Sequence, residues 1–282
     1  TGKTMLAKAF AGLLPPPSFD EVVEITGIHS AAGVLAQAFI TEPPFRSPHH
    51  TASYVALVGG GSSPKPGEVT LAHRGVLFLD EFPEFPRTVM EHLRQPLEDG
   101  VVSVARVAGS VRFPARFTLV AAANPCPCGY LSDPQRPCVC SPTQVLRYRK
   151  RISGPMLDRI DLHVEVPPVK FDKLTAPQQA EATEAVRVRV QSARDRQTAR
   201  FATAASAAVT NAEMGLEDLK IFVRLDEATV AFLREAVPRL HLSARSYHRA
   251  LKVSRTIADL AGEESMTIDH VAEALQYRPA TE

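Results

Sequence analysis

The segment that most constrains the fold of this chain is Gly75–Glu81, with the sequence GVLFLDE. Four consecutive apolar residues without polar alternation are typical of a strand that is buried on both faces of a parallel sheet. Ligands of such sheets bind at the carboxyl ends of the strands, which is where Asp80 and Glu81 stand. The two acids are either ordinary solvated carboxylates or a pair in which Asp80 holds magnesium and Glu81 orients or deprotonates an attacking water.

A second motif favours the catalytic interpretation. The first residues, Thr1–Thr4, match the end of the phosphate-binding pattern G-x-x-x-x-G-K-[ST] and run into a helical pattern. We expect Lys3 to reach the β and γ phosphates of a nucleotide, Thr4 to bind magnesium, and the helix start from Gly2 to Met5 to face the anion. Because the beginning of the pattern lies outside this sequence, we expect the chain to be a fragment of a longer protein.

The composition fits one large domain with a smaller companion, since 282 residues at 45% apolar content support a sizeable core. The chain carries 32 basic and 31 acidic residues, so any contact with nucleic acid would have to come from a local basic patch. The sequence has no run of about 18 apolar residues, and we expect a cytoplasmic protein.

Hydrophobic periodicity predicts helices in both halves of the chain. In the first half, the predicted helical segments are Thr4–Leu14, a loosely patterned Asp20–Phe39, Glu68–His73 and Arg87–Leu97. In the second half, they are Gln178–Arg200, Leu216–Phe222, Asp226–Ala236, Ser243–Leu260 and Ile268–Gln276. We also predict a last sheet strand at Leu162–Val166, before two prolines.

Between these regions the period changes from 3.6 to 2, which predicts a β-hairpin over Val101–Phe117 with a turn at residues 108–110. The hairpin carries Arg106, Arg112 and Arg116. Arg106 and Arg112 either grip DNA phosphates from a projecting tip or are solvated arginines of an ordinary edge hairpin.

A second buried strand is predicted at Thr118–Ala123 and ends in Asn124. A polar side chain at the carboxyl end of a parallel strand stands where an ATPase needs a group near the γ-phosphate or its attacking water.

All four cysteines follow this strand, at Cys126, Cys128, Cys138 and Cys140, with the spacing C-x-C-x9-C-x-C. A disulfide framework does not suit a cytosolic enzyme of this size. Four thiolates from one short loop suit a tetrahedral Zn²⁺ with a structural role, although paired zinc ligands are more often separated by two or more residues. The alternative is a loop with four free thiols.

Several motifs together resemble the magnesium-chelatase-like AAA+ ATPases, and the resemblance covers almost the whole chain. In chain order these motifs are PFRSPHHT at 44–51, ALVGGG at 56–61, PGE at 66–68, LAHRGVLFLDE at 71–81, AANPCPCG at 122–129, LDRIDL at 157–162 and LSAR at 242–245.

The resemblance implies an α/β fold: a P-loop AAA+ core with a parallel sheet between helices over residues 1–168, bearing the β-hairpin insertion and the zinc loop. A small all-helical lid domain would cover residues 169–282. It also implies ATP and Mg²⁺ as ligands, Asn124 as sensor 1, Arg159 as an arginine finger and Arg245 as sensor 2. The resemblance further implies that the protein assembles into a homo-hexameric ring and uses ATP to move on single-stranded or branched DNA. In one branch of the family, this movement is branch migration during natural transformation.

For some residues the sequence leaves alternatives open. Asp158 and Arg159 are most simply a surface pair, and only the resemblance distinguishes Arg159 from the nearby basic run at 147–151. Helical spacing places Arg245, Arg249 and Lys252 on one face, which is either solvated or in contact with nucleotide. The adjacent His49 and His50 suggest a metal, but without a neighbouring acid or cysteine we favour loop anchoring or interface contacts.

Two other functions stay open at this point. One is an ATPase motor for metal insertion, as in magnesium chelatase, which the cysteine loop disfavours. The other is a catalytically silent, zinc-stabilised scaffold that binds DNA.

Overall fold

In a computed structural model, the described residues are 2–61, 64–106, 109–131, 133, 136–167, 181–203, 206 and 208–278, without the side chains of residues 105, 106 and 109. The chain forms two compact units. The first contains the described residues up to Arg159 together with Val166 and Pro167, and the second contains Ile160–Glu165 and the described residues from 181 onward. The domain boundary predicted at 168/169 lies outside the described residues and stays a prediction.

The first unit is built on a three-stranded parallel sheet in the order β1 (Phe45–Arg46), β4 (Val76–Leu79) and β7 (Thr118–Ala121). All four residues of β4 are buried, as the unbroken apolar run predicted. The residues of β7 are half-buried or exposed, so the prediction of a second buried strand was wrong. The reason is that, among the described strands, β7 lies at the edge of this sheet and β4 in its middle.

Helices and short strand pairs surround this sheet. The helices of the first unit are α1 Lys3–Ala11, α2 Phe19–Ala32, α3 Tyr54–Val58, α4 Glu68–Leu71, α5 Arg87–His92, α6 Arg94–Asp99, α7 Pro142–Arg149 and α8 Gly154–Leu157. The short strands β2 (Gly59–Gly60) and β3 (Lys65–Pro66) pair with each other. The single helix predicted at Arg87–Leu97 is divided into α5 and α6, and Gly100 ends α6 with a left-handed φ of 65°.

Helix α1 packs against the sheet through Ala7, which is buried beside Val76, Phe78 and Ala122. Ala7 itself buries only a methyl group, worth about 0.8 kcal/mol, but it also helps to cover Phe78, whose burial contributes on the order of 1.5–3 kcal/mol. The start of α1 is thereby held beside the carboxyl end of β4.

The predicted hairpin is present as β5 (Val101–Arg106) and β6 (Gly109–Pro114), which pair antiparallel with Val101 opposite Pro114. Gly109 and Ser110, which were predicted to lie in the turn, belong to β6.

The second unit is helical. Its helices are α9 Thr183–Ala202, α10 Leu216–Phe222, α11 Glu227–Arg239, α12 Ala244–Ala261 and α13 Ile268–Gln276. Ser243 caps α12, as its side chain accepts a hydrogen bond from the amide of Ser246 at 3.1 Å. Inside the unit, Asp259 accepts from Arg255 at 3.0 Å and from Asn211 at 2.8 Å.

The strand predicted at Leu162–Val166 does not form, because these residues belong to none of the described strands or helices. The His163 amide instead donates to the Tyr277 carbonyl at 2.8 Å, at the end of α13. In the part of the chain that the structure describes, no helix is both long and apolar enough to cross a membrane.

Because the chain before β1 comes close to the start of β4, we expect the substitution Gly75→Ala to lower the stability of the protein. A Cβ at Gly75 would lie 2.0 Å from the carbonyl oxygen of Pro44, which is backbone and has no room to move. We expect the free energy of unfolding, measured by urea denaturation, to fall by about 1–3 kcal/mol. Gly27→Ala is the control, because a Cβ there meets nothing within 4 Å and helix α2 should gain about 0.5–1 kcal/mol. Equal stability of the two variants would contradict this reasoning.

Candidate functional site

The start of α1 meets the end of β7. The ammonium group of Lys3 donates hydrogen bonds to the carbonyl oxygen of Ala123 at 2.7 Å and to Oδ1 of Asn124 at 2.9 Å. The predicted phosphate-binding lysine and the polar residue after β7 are therefore brought together.

The same helix turn also meets the end of β4. The hydroxyl of Thr4 donates to Oδ2 of Asp80 at 2.8 Å. A hydroxyl and a carboxylate side by side are oxygen ligands of the kind that Mg²⁺ prefers, so these two residues fit a magnesium site.

Glu81 has an unusual backbone conformation, with a φ of 52° in the left-handed region. Such a conformation costs of order 1–3 kcal/mol in a residue other than glycine and is often found at active sites. Its amide donates to Oδ1 of Asp80 at 2.9 Å, which holds the turn. The turn leaves the Glu81 side chain about half exposed, at 53%.

His50 contacts this glutamate, which the sequence did not predict. Its Nδ1 lies 3.2 Å from Oε2 of Glu81. The ring lies tilted against that of His49, with 4.1 Å between centroids, and meets the edge of Phe85 at 6.4 Å. The only signal in the sequence was the adjacent histidine pair, and the structure gives His50 a carboxylate partner.

The other residues predicted to contact the nucleotide, Gly2 and Met5, lie at the start of α1. Gly2 stands at the N-cap of α1, and the side chain of Met5 is exposed. Thr1 lies outside the described residues. The predicted roles of Gly2 and Met5 as nucleotide contacts stay predictions.

Arg159 is engaged within its own chain. Its guanidinium donates to the carboxylate of Glu98 and, at 2.6 Å, to the carbonyl oxygen of Pro155. These contacts fix the side chain at the end of α8, and its role as an arginine finger stays a prediction.

In the second unit, the basic face of α12 is divided between two roles. Arg249 pairs with Asp161 at 2.7 Å, and Lys252 donates to the carbonyl oxygen of Ala212 at 3.0 Å. Both contacts stabilise the unit itself. Arg245 lies in the first turn of α12 with an exposed side chain, and its sensor role stays a prediction.

The hairpin arginines are placed differently from one another. Arg112 is exposed in the middle of β6. Arg116 lies at the base, where its amide donates to Nδ1 of the buried His73 at 3.0 Å. The side chain of Arg106 lies outside the described residues, so its predicted DNA contact is untested.

The four cysteines form one cluster, with all Sγ atoms within 4.8 Å of one another. The Sγ of Cys126 lies 3.4 Å from that of Cys128 and 3.7 Å from that of Cys138. A tetrahedral metal with Zn–S bonds of about 2.3 Å separates its sulfur ligands by about 3.8 Å. The cluster is therefore close to the spacing that a tetrahedral metal ion requires. Gly129 has a left-handed φ of 82°, and its amide donates to the carbonyl oxygen of Cys126 at 3.0 Å, which closes the turn that carries Cys126 and Cys128.

The cysteine thiols differ in acidity. Hydrogen bonds from the backbone of Tyr130 and Val139 lower the pKa of Cys128 to about 6. A backbone hydrogen bond from Cys140 lowers the pKa of Cys138, but burial and the neighbouring thiols outweigh it and raise that pKa to about 12. Because thiolates bind metals, Cys128 is ready to bind at neutral pH, whereas Cys138 must release a proton.

Comparison with known protein families supports the resemblance that the sequence motifs indicated. The family model described as magnesium chelatase, subunit ChlI, matches residues 1–174, and the model of the ChlI C-terminal part matches residues 180–278.

Individual relatives match over nearly the whole chain. Competence protein ComM of Haemophilus influenzae is 45% identical over 99% of this chain and 53% of its own length. An uncharacterised protein of Escherichia coli, YifB, is 44% identical over 99% of this chain and 54% of its own length. An uncharacterised protein of Mycobacterium bovis is 46% identical over 98% of this chain and 55% of its own length. The chain thus spans about half the length of the curated relatives it matches.

The contact between His50 and Glu81 predicts a change in turnover when His50 is replaced. In the intact protein, His50→Ala should lower kcat for ATP by about tenfold and leave KM unchanged, because an unheld carboxylate samples several rotamers while nucleotide binding stays intact. His50→Asn should restore part of the rate, since its side-chain amide nitrogen can lie near the position of Nδ1. Steady-state ATPase assays measure both constants, and a kcat for His50→Ala equal to that of the parent would contradict the role.

Proposed function

The chain belongs to the magnesium-chelatase-like AAA+ ATPases, and we propose that the intact protein uses ATP hydrolysis to drive movement on DNA. The observation that carries the ATPase part is the convergence of Lys3, Thr4, Asp80, Glu81 and Asn124 at the carboxyl ends of two neighbouring parallel strands. This is the place where ligands of such sheets bind.

The roles follow from the chemistry of each group. Lys3 would bind the β and γ phosphates, and Thr4 and Asp80 would hold Mg²⁺, which neutralises phosphate charge. Glu81 would accept a proton from the attacking water or orient it, held by His50 at 3.2 Å. Asn124 would contact the γ-phosphate or the water.

The DNA part of the proposal rests on the resemblance, which implies branch migration in natural transformation, and on the hairpin with its exposed Arg112. A projecting hairpin with arginines could contact phosphates without reading sequence. One relative is named a competence protein, which agrees with this proposal. The proposed assembly is a homo-hexameric ring, with DNA in contact with the hairpins.

A chelatase-type motor for metal insertion is the second candidate, favoured by the ChlI family models. A silent DNA-binding scaffold would hydrolyse no ATP at all. Measuring the ATPase rate of the intact protein with and without DNA distinguishes the three, since only a DNA motor is expected to be stimulated by DNA.

We propose Zn²⁺ as the ion of the cysteine cluster, because four thiolates in tetrahedral arrangement are a preferred zinc site and leave no open position for catalysis. Protein purified without added metal should contain about one zinc ion per chain by elemental analysis. Cys126→Ser, which changes the fully buried ligand, should lose the ion. Metal content near zero, with all four thiols alkylated in the native protein, would contradict the proposal.

The proposed finger role of Arg159 predicts a specific behaviour of mixed rings. In the intact protein, Arg159→Ala should keep ATP binding and lose hydrolysis, whereas Lys3→Ala should lose binding. Arginine fingers are worth about 10³–10⁵ in rate where GTPases have been examined.

The test combines Glu81→Gln subunits, which keep the finger, with Arg159→Ala subunits, which keep Glu81. Activity should reappear on mixing, because each variant supplies what its neighbour lacks. Full activity of Arg159→Ala alone would end the hypothesis, and no recovery on mixing would show that Arg159 acts within its own subunit.

A further inference from the structure

Helix α7 buries one side chain, that of Tyr148. Its neighbours Arg147 and Arg149 are exposed, and Leu146 is 52% exposed. Tyr148 is only 5% exposed, and its hydroxyl is hydrogen-bonded to the backbone of Asn124. A buried phenol needs such a partner, because burying a hydroxyl without one is costly. The one side chain that α7 buries therefore ends on the residue that we propose to contact the γ-phosphate or the attacking water.

Asn124 stands beyond the bonds that join its strand to β4. The amide of Ala122 donates to the carbonyl oxygen of Leu79 at 2.9 Å, and the carbonyl oxygen of Ala122 accepts from the amide of Phe82 at 2.8 Å. In the part of the chain that the structure describes, backbone bonds between these two segments go no further than Ala122. The bond to the buried Tyr148 thus fixes the backbone of Asn124 where the sheet no longer does.

Helix α7 is itself held at both ends. Ser141 caps its start, since the Ser141 hydroxyl accepts from the amide of Gln144 at 3.3 Å. Just beyond its end, Arg151 donates to the carboxylate of Glu84 at 2.5 Å, in the segment after the proposed catalytic acids. The guanidinium carbon of Arg151 also lies 5.8 Å from the centroid of the Tyr148 ring. Tyr148 is therefore presented to Asn124 from a fixed helix, as a supporting group for a functional side chain must be.

We propose that Tyr148 is a positioning residue for ATP hydrolysis, which holds the backbone of Asn124 so that the Asn124 side chain reaches the γ-phosphate or the attacking water. The inference rests on the proposed function, because it takes Asn124 to act in hydrolysis. A misplacement of about 1 Å can cost about 10²-fold in rate, and without its anchor the backbone of Asn124 would sample such displacements. Nucleotide binding would be spared, because Lys3 and Thr4 lie on α1 and do not depend on this bond.

The test measures kcat and KM for ATP in steady-state assays of the intact protein. Tyr148→Phe removes the hydroxyl and keeps the buried ring. We expect kcat to fall about tenfold with KM unchanged, as for an interaction that matters only in the transition state. Tyr277→Phe is the matched control, because it removes a hydroxyl in the second unit that donates to the exposed Glu273 at 3.2 Å. This variant should behave like the parent.

A double-mutant cycle shows through which residue Tyr148 acts. In an Asn124→Ala protein no side chain remains to be positioned, so adding Tyr148→Phe should lower kcat no further. A general structural effect, such as a fraction of inactive protein, would lower kcat by the same factor in both backgrounds. Single-turnover measurements carry the same comparison where Asn124→Ala is too slow for steady-state assays.

The other outcomes overturn the inference in distinguishable ways. A parental kcat for Tyr148→Phe, or losses that add in the double variant, would exclude the positioning role and leave the proposed function intact. An equal loss in Tyr277→Phe would point to a general effect of removing tyrosine hydroxyls. Parental activity of Asn124→Ala would remove the role of Asn124 and with it that of Tyr148. A parent protein that hydrolyses no ATP would contradict the proposed function itself, and this inference with it. Thermal unfolding and metal content check that Tyr148→Phe keeps the parental fold.

Discussion

The parallel pairing of β4 with β7 is the constraint on which the rest of the site depends. With Leu79 opposite Ala121, the two strands end side by side, so Asp80 and Glu81 emerge next to the segment that carries Asn124. A slip by one residue would turn the side chains of β7 to the opposite faces of the sheet. Packing of Ala7 against β4 then brings Lys3 and Thr4 to both strand ends at once.

The features predictable from sequence were those with a local physical cause. The unbroken apolar run of β4 predicted a strand buried on both faces, and the apolar spacing of Ile268–Gln276 predicted that helix with its observed bounds. The cysteine cluster was likewise predictable, since all four ligands lie in one short loop.

The features that were missed depend on distant partners. The residues Leu162–Val166 alternate like a strand, but a strand needs a neighbour, and the His163 amide finds a helix end instead. The contacts of His50 with Glu81 and of Arg249 with Asp161 join residues far apart in sequence, so no pattern within either segment indicates them. The exposure of β7 depends on its place in the sheet, which sequence periodicity does not report.

Asn124 connects the parts of the first unit that surround the proposed nucleotide site. Its side chain accepts from Lys3, its backbone bonds to Tyr148 of α7, and the buried Cys126 follows two residues later. The bonds of Lys3 are exposed to water, and exposed hydrogen bonds contribute little net stability. We propose that a phosphate oxygen, which would add an opposite charge to the bond with Lys3, replaces them at small cost and releases the Asn124 side chain toward a bound nucleotide. The backbone of Asn124 would stay bonded to Tyr148 during this exchange, so the residue can change partners without losing its position.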